Sequence, residues 1–328
     1  MLLTQRKQWL AFLFASRRYY SIWRARRHRR PLRQPTDSIQ MTSNTLAESY
    51  EAEVSRGQRF EFGENWSRFL EQLDETRVLE AENSLRQILG VSDLAGKRFA
   101  DIGSGSGLFS LAARRLGAEV VSIDYDPDSV ACTAELRSRF FPDDERWDVE
   151  RGSALDRSYL ESLGSFDVVY SWGVLHHTGA MWEALDKVST LVAAGGLLCV
   201  SIYNDQGRAS SRWLRVKQLY NRLPAPLRFL VLAPATIRLW GPSFVRDTAS
   251  GHPMRTWSAY YRQRGMSPWR DVVDWVGGYP FEVARPEQIF AFYRDRGFDL
   301  VNLRTCGGGI GCNEFVFRRS GIDRSDDL

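Results

Sequence analysis

Cysteine is scarce in these 328 residues, and the four present follow no pattern. Cys132, Cys199, Cys306 and Cys312 are dispersed and lack the paired spacing of a zinc site, so no metal is expected and no metal-stapled fold. Cys132 and Cys199 fall inside expected regular elements, as buried free thiols of a reducing compartment do, which points to a cytoplasmic protein. Cys306 and Cys312 flank the Gly307–Gly311 stretch, read as a hairpin tip with two incidental cysteines; a disulfide closing the tip is the alternative. Also missing is any apolar run near the ~18 residues that cross a bilayer. No internal repeat is present. With 43% hydrophobic residues the chain still has material for one large core or two domains.

Acidic residues are absent from the first 36 positions, which hold ten Lys or Arg; Asp37 is the first acid. The remainder carries 34 bases against 40 acids, so the net charge of +4 hides a body of −6. A weakly acidic body argues against nucleic acid as a partner, since that role calls for a basic face. The head interleaves its bases with Trp9, Phe12, Phe14, Tyr19, Tyr20 and Trp23. Three readings of residues 1–40 stay open. One is a mitochondrial transit peptide, and another is an amphipathic anchor giving peripheral membrane contact. The third, which we favour, is a disordered extension upstream of a start at Met41, because Met41-Thr42-Ser43-Asn44 reads as an ordinary protein start.

What the chain does have is Asp101-Ile102-Gly103-Ser104-Gly105-Ser106-Gly107, followed by Val120-Val121-Ser122-Ile123-Asp124. The first stretch reads as a strand end, a glycine turn and a helix start. The second reads as a buried strand with a carboxylate at its tip. Glycine lets backbone approach a ligand closely, and an acid about 20 residues past such a loop can accept both hydroxyls of a ribose. The G-x-G-x-G spacing differs from the G-x-G-x-x-G that seats a pyrophosphate on a helix N-terminus. Asp101, just before the first glycine, would repel a pyrophosphate and suit a cation. For the loop taken alone, a nicotinamide dehydrogenase is the runner-up.

On these residues the chain resembles the class I S-adenosylmethionine-dependent methyltransferases, whose first motif is an acid followed by x-G-x-G-x-G. The resemblance runs almost continuously over residues 98–203 and implies S-adenosyl-L-methionine as cofactor. It implies a doubly wound α/β fold with a mostly parallel seven-stranded sheet and an antiparallel terminal hairpin. The alternation of elements agrees: strand 98–102, helix 106–116, strand 120–124, a helix opened by Asp126-Pro127-Asp128, and a third strand ending at Glu150–Asp156. Strand 166–171 runs into Trp172-Gly173-Val174-Leu175-His176-His177. Helix 180–192, the Ala194-Gly195-Gly196 turn and strand 197–202 follow. Carried over as cofactor contacts are Asp101, Gly103, Ser104, Gly105, Gly107, Asp124, Tyr125, Ser153 and Ala154 beside the adenine, Ser171 and Trp172.

Residues 41–97 read as an N-terminal helical lid, with Trp66 over the cofactor or as a packing anchor, and one helical pattern from Phe69 to Leu89. Residues 204–285 interrupt the family pattern as a substrate-recognition insertion rich in Trp, Tyr and Arg. Its Leu223–Trp240 stretch is apolar but broken by Pro224, Pro226 and Pro234; it could rest on a membrane or line an apolar pocket. Residues 286–328 close the core with a helix and a strand pair. His177, His176 and Asp205 stand at the rim as candidate bases for the acceptor. The broad likeness is to ubiquinone-biosynthesis O-methyltransferases, which carry Glu-His where this chain has Leu175-His176-His177; that departure puts a metal-assisted quinol mechanism in doubt. No Asn/Asp-Pro-Pro-aromatic tetrad follows the fourth strand and no Pro-Cys pair exists, which excludes two nucleic-acid methyltransferase classes. The expected function is methyl transfer to an oxygen, nitrogen or carbon of a small-molecule acceptor, aromatic or lipid-like. A protein methyltransferase and a non-catalytic cofactor-binding protein are the alternatives.

Overall fold

The computed structural model describes residues 48–70, 73–264 and 268–321, so the basic head and the Met41 start lie outside the described residues. Seven strands form one sheet: β1 (Arg98–Ile102), β2 (Glu119–Asp124), β3 (Trp147–Arg151), β4 (Phe166–Trp172), β5 (Val192–Tyr203), β6 (Phe298–Arg304) and β7 (Cys312–Arg319). Their order is β3-β2-β1-β4-β5-β7-β6. The first five run parallel, and β7 lies antiparallel between β5 and β6. Near-continuous apolar runs such as Val168-Val169-Tyr170 and Leu198-Cys199-Val200 are buried on both faces, as the inner strands of a parallel sheet must be.

Helices cover both faces. On one side α3 (Glu75–Leu89), α4 (Leu108–Arg115) and α5 (Pro127–Phe140) pack Leu85, Leu111 and Leu136 against Phe99 and Val120. On the other, α6 (Arg157–Ser162), α7 (Met181–Ser189) and α12 (Pro286–Arg294) bring Leu160, Leu185, Ile289 and Tyr293 onto Ile102, Val169 and Val200. Chain order reverses between β1 and β4, which opens a crevice beyond the carboxyl ends of the strands. Before the sheet come a helix over residues 48–55 (α1) and α2 (Gly63–Leu70). After β5 come α8 (Arg208–Arg222), α9 (Phe229–Ala249), α10 (Arg255–Arg264) and α11 (Pro268–Gly277). They hold a small core of their own, centred on Tyr220, Val231, Leu232, Val272 and Val276.

Two element expectations are corrected. The single helical pattern from Phe69 to Leu89 is two helices, because Asp74 turns its carboxylate onto the backbone N–H of Arg77 at 2.9 Å and starts α3 afresh. The strand expected from Leu197 begins at Val192: pairing with β4 skips from Phe166–Val192 to Val168–Leu197, so the glycine pair forms a bulge inside β5. The β6–β7 hairpin is closed without a disulfide, and no disulfide joins any of the four cysteines.

Candidate functional site

β1 delivers Asp101 to the floor of the crevice, where it is buried and accepts a 2.5 Å hydrogen bond from Ser110 Oγ. β2 delivers Asp124, whose carboxylate accepts from the backbone N–H groups of Gly105 and Asp126, both at 2.9 Å. The glycine loop between them is pinned by Gly103 N and Ser104 N donating to the Ile123 carbonyl at 2.8 and 3.0 Å. Gly103 and Gly105 have φ of +81° and +56°. A Cβ on Gly103 would lie 2.4 Å from Val174, and one on Gly105 would lie 3.1 Å from the Trp66 ring. The loop therefore takes this path only with glycine.

Burial pushes the Asp101 carboxyl up to about 7, with the Ser110 hydrogen bond opposing and Asp124 adding to the rise. Burial likewise pushes Asp124 up to about 6, against the pull of the Asp126 and Gly105 N–H groups. Positive charge brought beside these two buried carboxyls would favour their ionised forms. A bound cation favours the ionised form, so binding expels a proton from Asp101. Cofactor affinity is therefore expected to fall by up to about tenfold per pH unit below 7 and to level off above it. Titration calorimetry in buffers of different ionisation enthalpy reads the proton release directly; a flat profile from pH 5.5 to 8 contradicts it. The same sign governs stability. Between the unfolded value near 4 and the folded value near 7 the folded state holds protons the unfolded state has lost, so Asp101 makes the free protein less stable as pH rises through that window.

The segment before the sheet covers this floor. Gly63 N donates to Asp126 Oδ2 at 2.8 Å, Phe60 N to the Tyr279 carbonyl at 2.9 Å, and Arg59 Nη1 to the His177 carbonyl at 3.1 Å. Trp66 lies against the glycine loop, and the Arg59 guanidinium sits 4.9 Å over the Tyr125 ring. Ser153 and Ala154 line the crevice past β3, and Trp172 lines it from β4, with Nε1 donating to Glu314 at 3.0 Å.

The insertion forms the opposite wall. Leu239 and Trp240 of α9, Tyr260 of α10, and Asp271, Val272, Asp274 and Trp275 of α11 line the same cleft as the glycine loop. Its volume is about 1650 Å³. His177 lies between the two halves. Its Nδ1 stands 2.6 Å from the Pro280 carbonyl, which can only accept, so Nδ1 carries the proton and Nε2 the lone pair. Burial pushes this imidazole down to about 3, with the Lys217 cation adding to the shift. Phe62 and Tyr203 pack on the ring at 5.0 and 5.4 Å.

Of the residues expected at the site, Asp101, Gly103, Ser104, Gly105, Asp124, Tyr125, Ser153, Ala154, Trp172 and His177 line the cleft. Four do not. The Ser171 hydroxyl is fully buried in the sheet, donating to the Ile102 carbonyl at 2.8 Å. Gly107 caps α4 beneath Thr133 instead of facing the ligand. His176 is fully buried, its ring 3.9 Å from that of Tyr203, and burial holds it neutral. Asp205 shapes the turn before α8 by accepting from Gly207 N at 2.8 Å, in a separate shallow depression. Tyr203, a rim candidate by its place directly after a core strand, and Trp240, at the end of the apolar 223–240 stretch, both line the cleft. Sequence reasoning missed Arg59 and Phe62, which carry no local signal. Among the described residues no group of three His, Cys, Asp or Glu side chains is placed to hold a metal ion.

A model of the methyltransferase domain matches residues 100–198. The ubiquinone biosynthesis O-methyltransferase of Xanthomonas euvesicatoria pv. vesicatoria is 32% identical over 168 residues, covering 50% of this chain and 67% of its own length. The chain belongs to the class I S-adenosylmethionine-dependent methyltransferases. The Ralstonia nicotianae enzyme of the same name is 30% identical over 167 residues, 48% of this chain and 66% of its own. Among solved structures, the N-methyltransferase NodS from Bradyrhizobium japonicum covers 79% of this chain and 98% of its own at 16% identity, with a TM-score of 0.43. The chain spans between 45% and 67% of the length of the curated relatives it matches. S-adenosyl-L-methionine is the family's cofactor, and the residues present fit it. Asp124 would accept the ribose hydroxyls and Asp101 would answer the cationic end, both on the cleft lining beside Gly103 and Gly105.

Proposed function

We propose that this chain transfers a methyl group from S-adenosylmethionine to an oxygen, nitrogen or carbon of a small, largely apolar acceptor. The observation that carries this is the shared cleft. At about 1650 Å³ it exceeds the roughly 300–1,000 Å³ of a single-ligand pocket. Acids and glycines line one half and aromatic rings the other, which supports two molecules side by side. The relatives named for ubiquinone biosynthesis favour a ring-bearing, lipid-soluble acceptor of that kind over a protein side chain. Four cysteines that form no disulfide support placing the reaction in the cytoplasm.

The bound cofactor supplies an electrophilic methyl on a sulfonium; the protein's part is to position the acceptor and relieve it of a proton. Trp240, Tyr260 and Trp275 offer faces for a flat or greasy acceptor. His177 presents Nε2 as a hydrogen-bond acceptor for an O–H or N–H. With its own proton-binding pushed down to about 3, it stays neutral throughout the working range. So weak a base orients the acceptor through a neutral hydrogen bond and does not take its proton, so His177→Gln is expected to lower kcat about tenfold with cofactor affinity nearly unchanged. In the wild type no rate inflection between pH 5 and 9 belongs to His177. Steady-state rates and calorimetry on the variant check both points.

The functional test is incubation with methyl-labelled S-adenosylmethionine and fractionated cell extract, read by mass spectrometry. Label in an organic-soluble small molecule is expected. Label confined to protein or RNA, or no label despite cofactor binding, overturns the proposal.

A further inference from the structure

The body's negative charge is unevenly spread. Residues 206–270 contain twelve Lys or Arg and a single acid, Asp247. That acid is buried and turned inward, accepting from Thr256 N at 2.6 Å and Thr256 Oγ1 at 2.8 Å. Arg208, Arg212, Arg215 and Arg222 recur along one exposed face of α8, and Arg238 and Arg246 are exposed on α9. The insertion is thus a basic body on an otherwise acidic protein.

It is also apolar where it meets solvent. On α9, Leu230 is 56% exposed, Ile237 71%, Phe244 50% and Val245 68%. Their spacing places them on one face of the helix. The other face carries Val231, Leu232 and Ala235 into the subdomain core and Leu239 and Trp240 into the cleft wall. One helix therefore has its inner side on the acceptor half of the cleft and an unpartnered apolar stripe outside. No helix among the described residues is long and apolar enough to cross a membrane.

We propose that this outer face of α9, with its flanking arginines, seats the enzyme on an anionic membrane surface, from which a lipid-soluble acceptor enters the cleft. Apolar side chains bordered by arginines match the two layers of such a surface, headgroup charge outside and acyl chains beneath. The alternatives match less well. Two copies meeting through this face would bring like charges together. A nucleic acid would use the arginines and leave Ile237, Phe244 and Val245 without a role. The entry of a lipid-soluble acceptor rests on the proposed function; the membrane seat does not, and the two are tested separately.

The test uses the full chain and the double variant Ile237→Glu/Val245→Glu. Both positions are exposed, so the fold and the cofactor half of the cleft stay intact, which cofactor titration verifies. Wild-type protein is expected to bind phosphatidylglycerol vesicles at least roughly tenfold better than phosphatidylcholine vesicles, and the variant to lose about tenfold or more of that binding. Three results overturn the proposal: equal vesicle binding by wild type and variant, a dimer in sedimentation that only the variant disrupts while vesicles are ignored, and tight binding to an RNA oligonucleotide that the variant retains while vesicle binding is absent. Methyl transfer to a detergent-solubilised acceptor fails only if the activity reading fails, so it separates the two.

Discussion

Gly103→Val is expected to abolish cofactor binding and to destabilise the fold by about 2–5 kcal/mol. The position has φ of +81°, a conformation that costs a side chain roughly 1–2 kcal/mol. Its added Cβ would stand 2.4 and 2.5 Å from the two methyl carbons of Val174 and 2.8 Å from its Cβ, a branched side chain with no flexible far end to swing away. Forcing that contact adds about 1–3 kcal/mol. Val174 leads the short turn Leu175–His177, so the displacement also reaches the His177 ring that lines the cleft. Thermal unfolding and isothermal titration measure the two effects independently. A variant that binds S-adenosylmethionine like wild type removes the loop from the site.

Asp124→Asn is expected to weaken cofactor binding roughly 100-fold while leaving the fold intact. The amide keeps the size of the carboxylate, but its one oxygen keeps only one of the Gly105 and Asp126 N–H groups and its NH2 meets the other, so the strain stays local and the buried sheet and helices are untouched. What it loses is charge, and hydrogen bonds from ribose hydroxyls to a charged acceptor are worth more than to a neutral one. A second readout comes with it. Asp124 is one of the groups that raise Asp101, so removing its charge lets Asp101 ionise at lower pH. The pH midpoint for cofactor binding should then move down in the variant. An unchanged affinity, or a midpoint moved upward, contradicts this assignment.

The cofactor half of the site was legible because its chemistry is local. Asp101, the glycines and Asp124 lie within 24 residues, and one strand-loop-helix-strand unit brings them together wherever it folds. The acceptor half was not. His176 and His177 are neighbours with the same chemistry, and their fates separate because the Pro280 carbonyl, far along the chain, accepts a hydrogen bond from Nδ1 of one. Ser171 looked like a rim residue by position, yet strand alternation turned its hydroxyl into the sheet. Asp205 stood at the right end of β5 and was used to build a turn. The Trp66 contact with Gly105 joins elements that no periodicity connects.

The sequence by itself determined the sheet, the parallel order of its first five strands and the identity of the cofactor, because buried apolar runs, glycine turns and an acid at a strand tip are short-range instructions. Only the tertiary structure decided which histidine lines the cleft, that α9 lines the cleft on one side and meets solvent on the other, and that the basic charge of residues 206–270 gathers around an exposed apolar stripe. Those outcomes depend on side chains meeting across a hundred residues of chain, where packing against a partner element, not local propensity, sets direction.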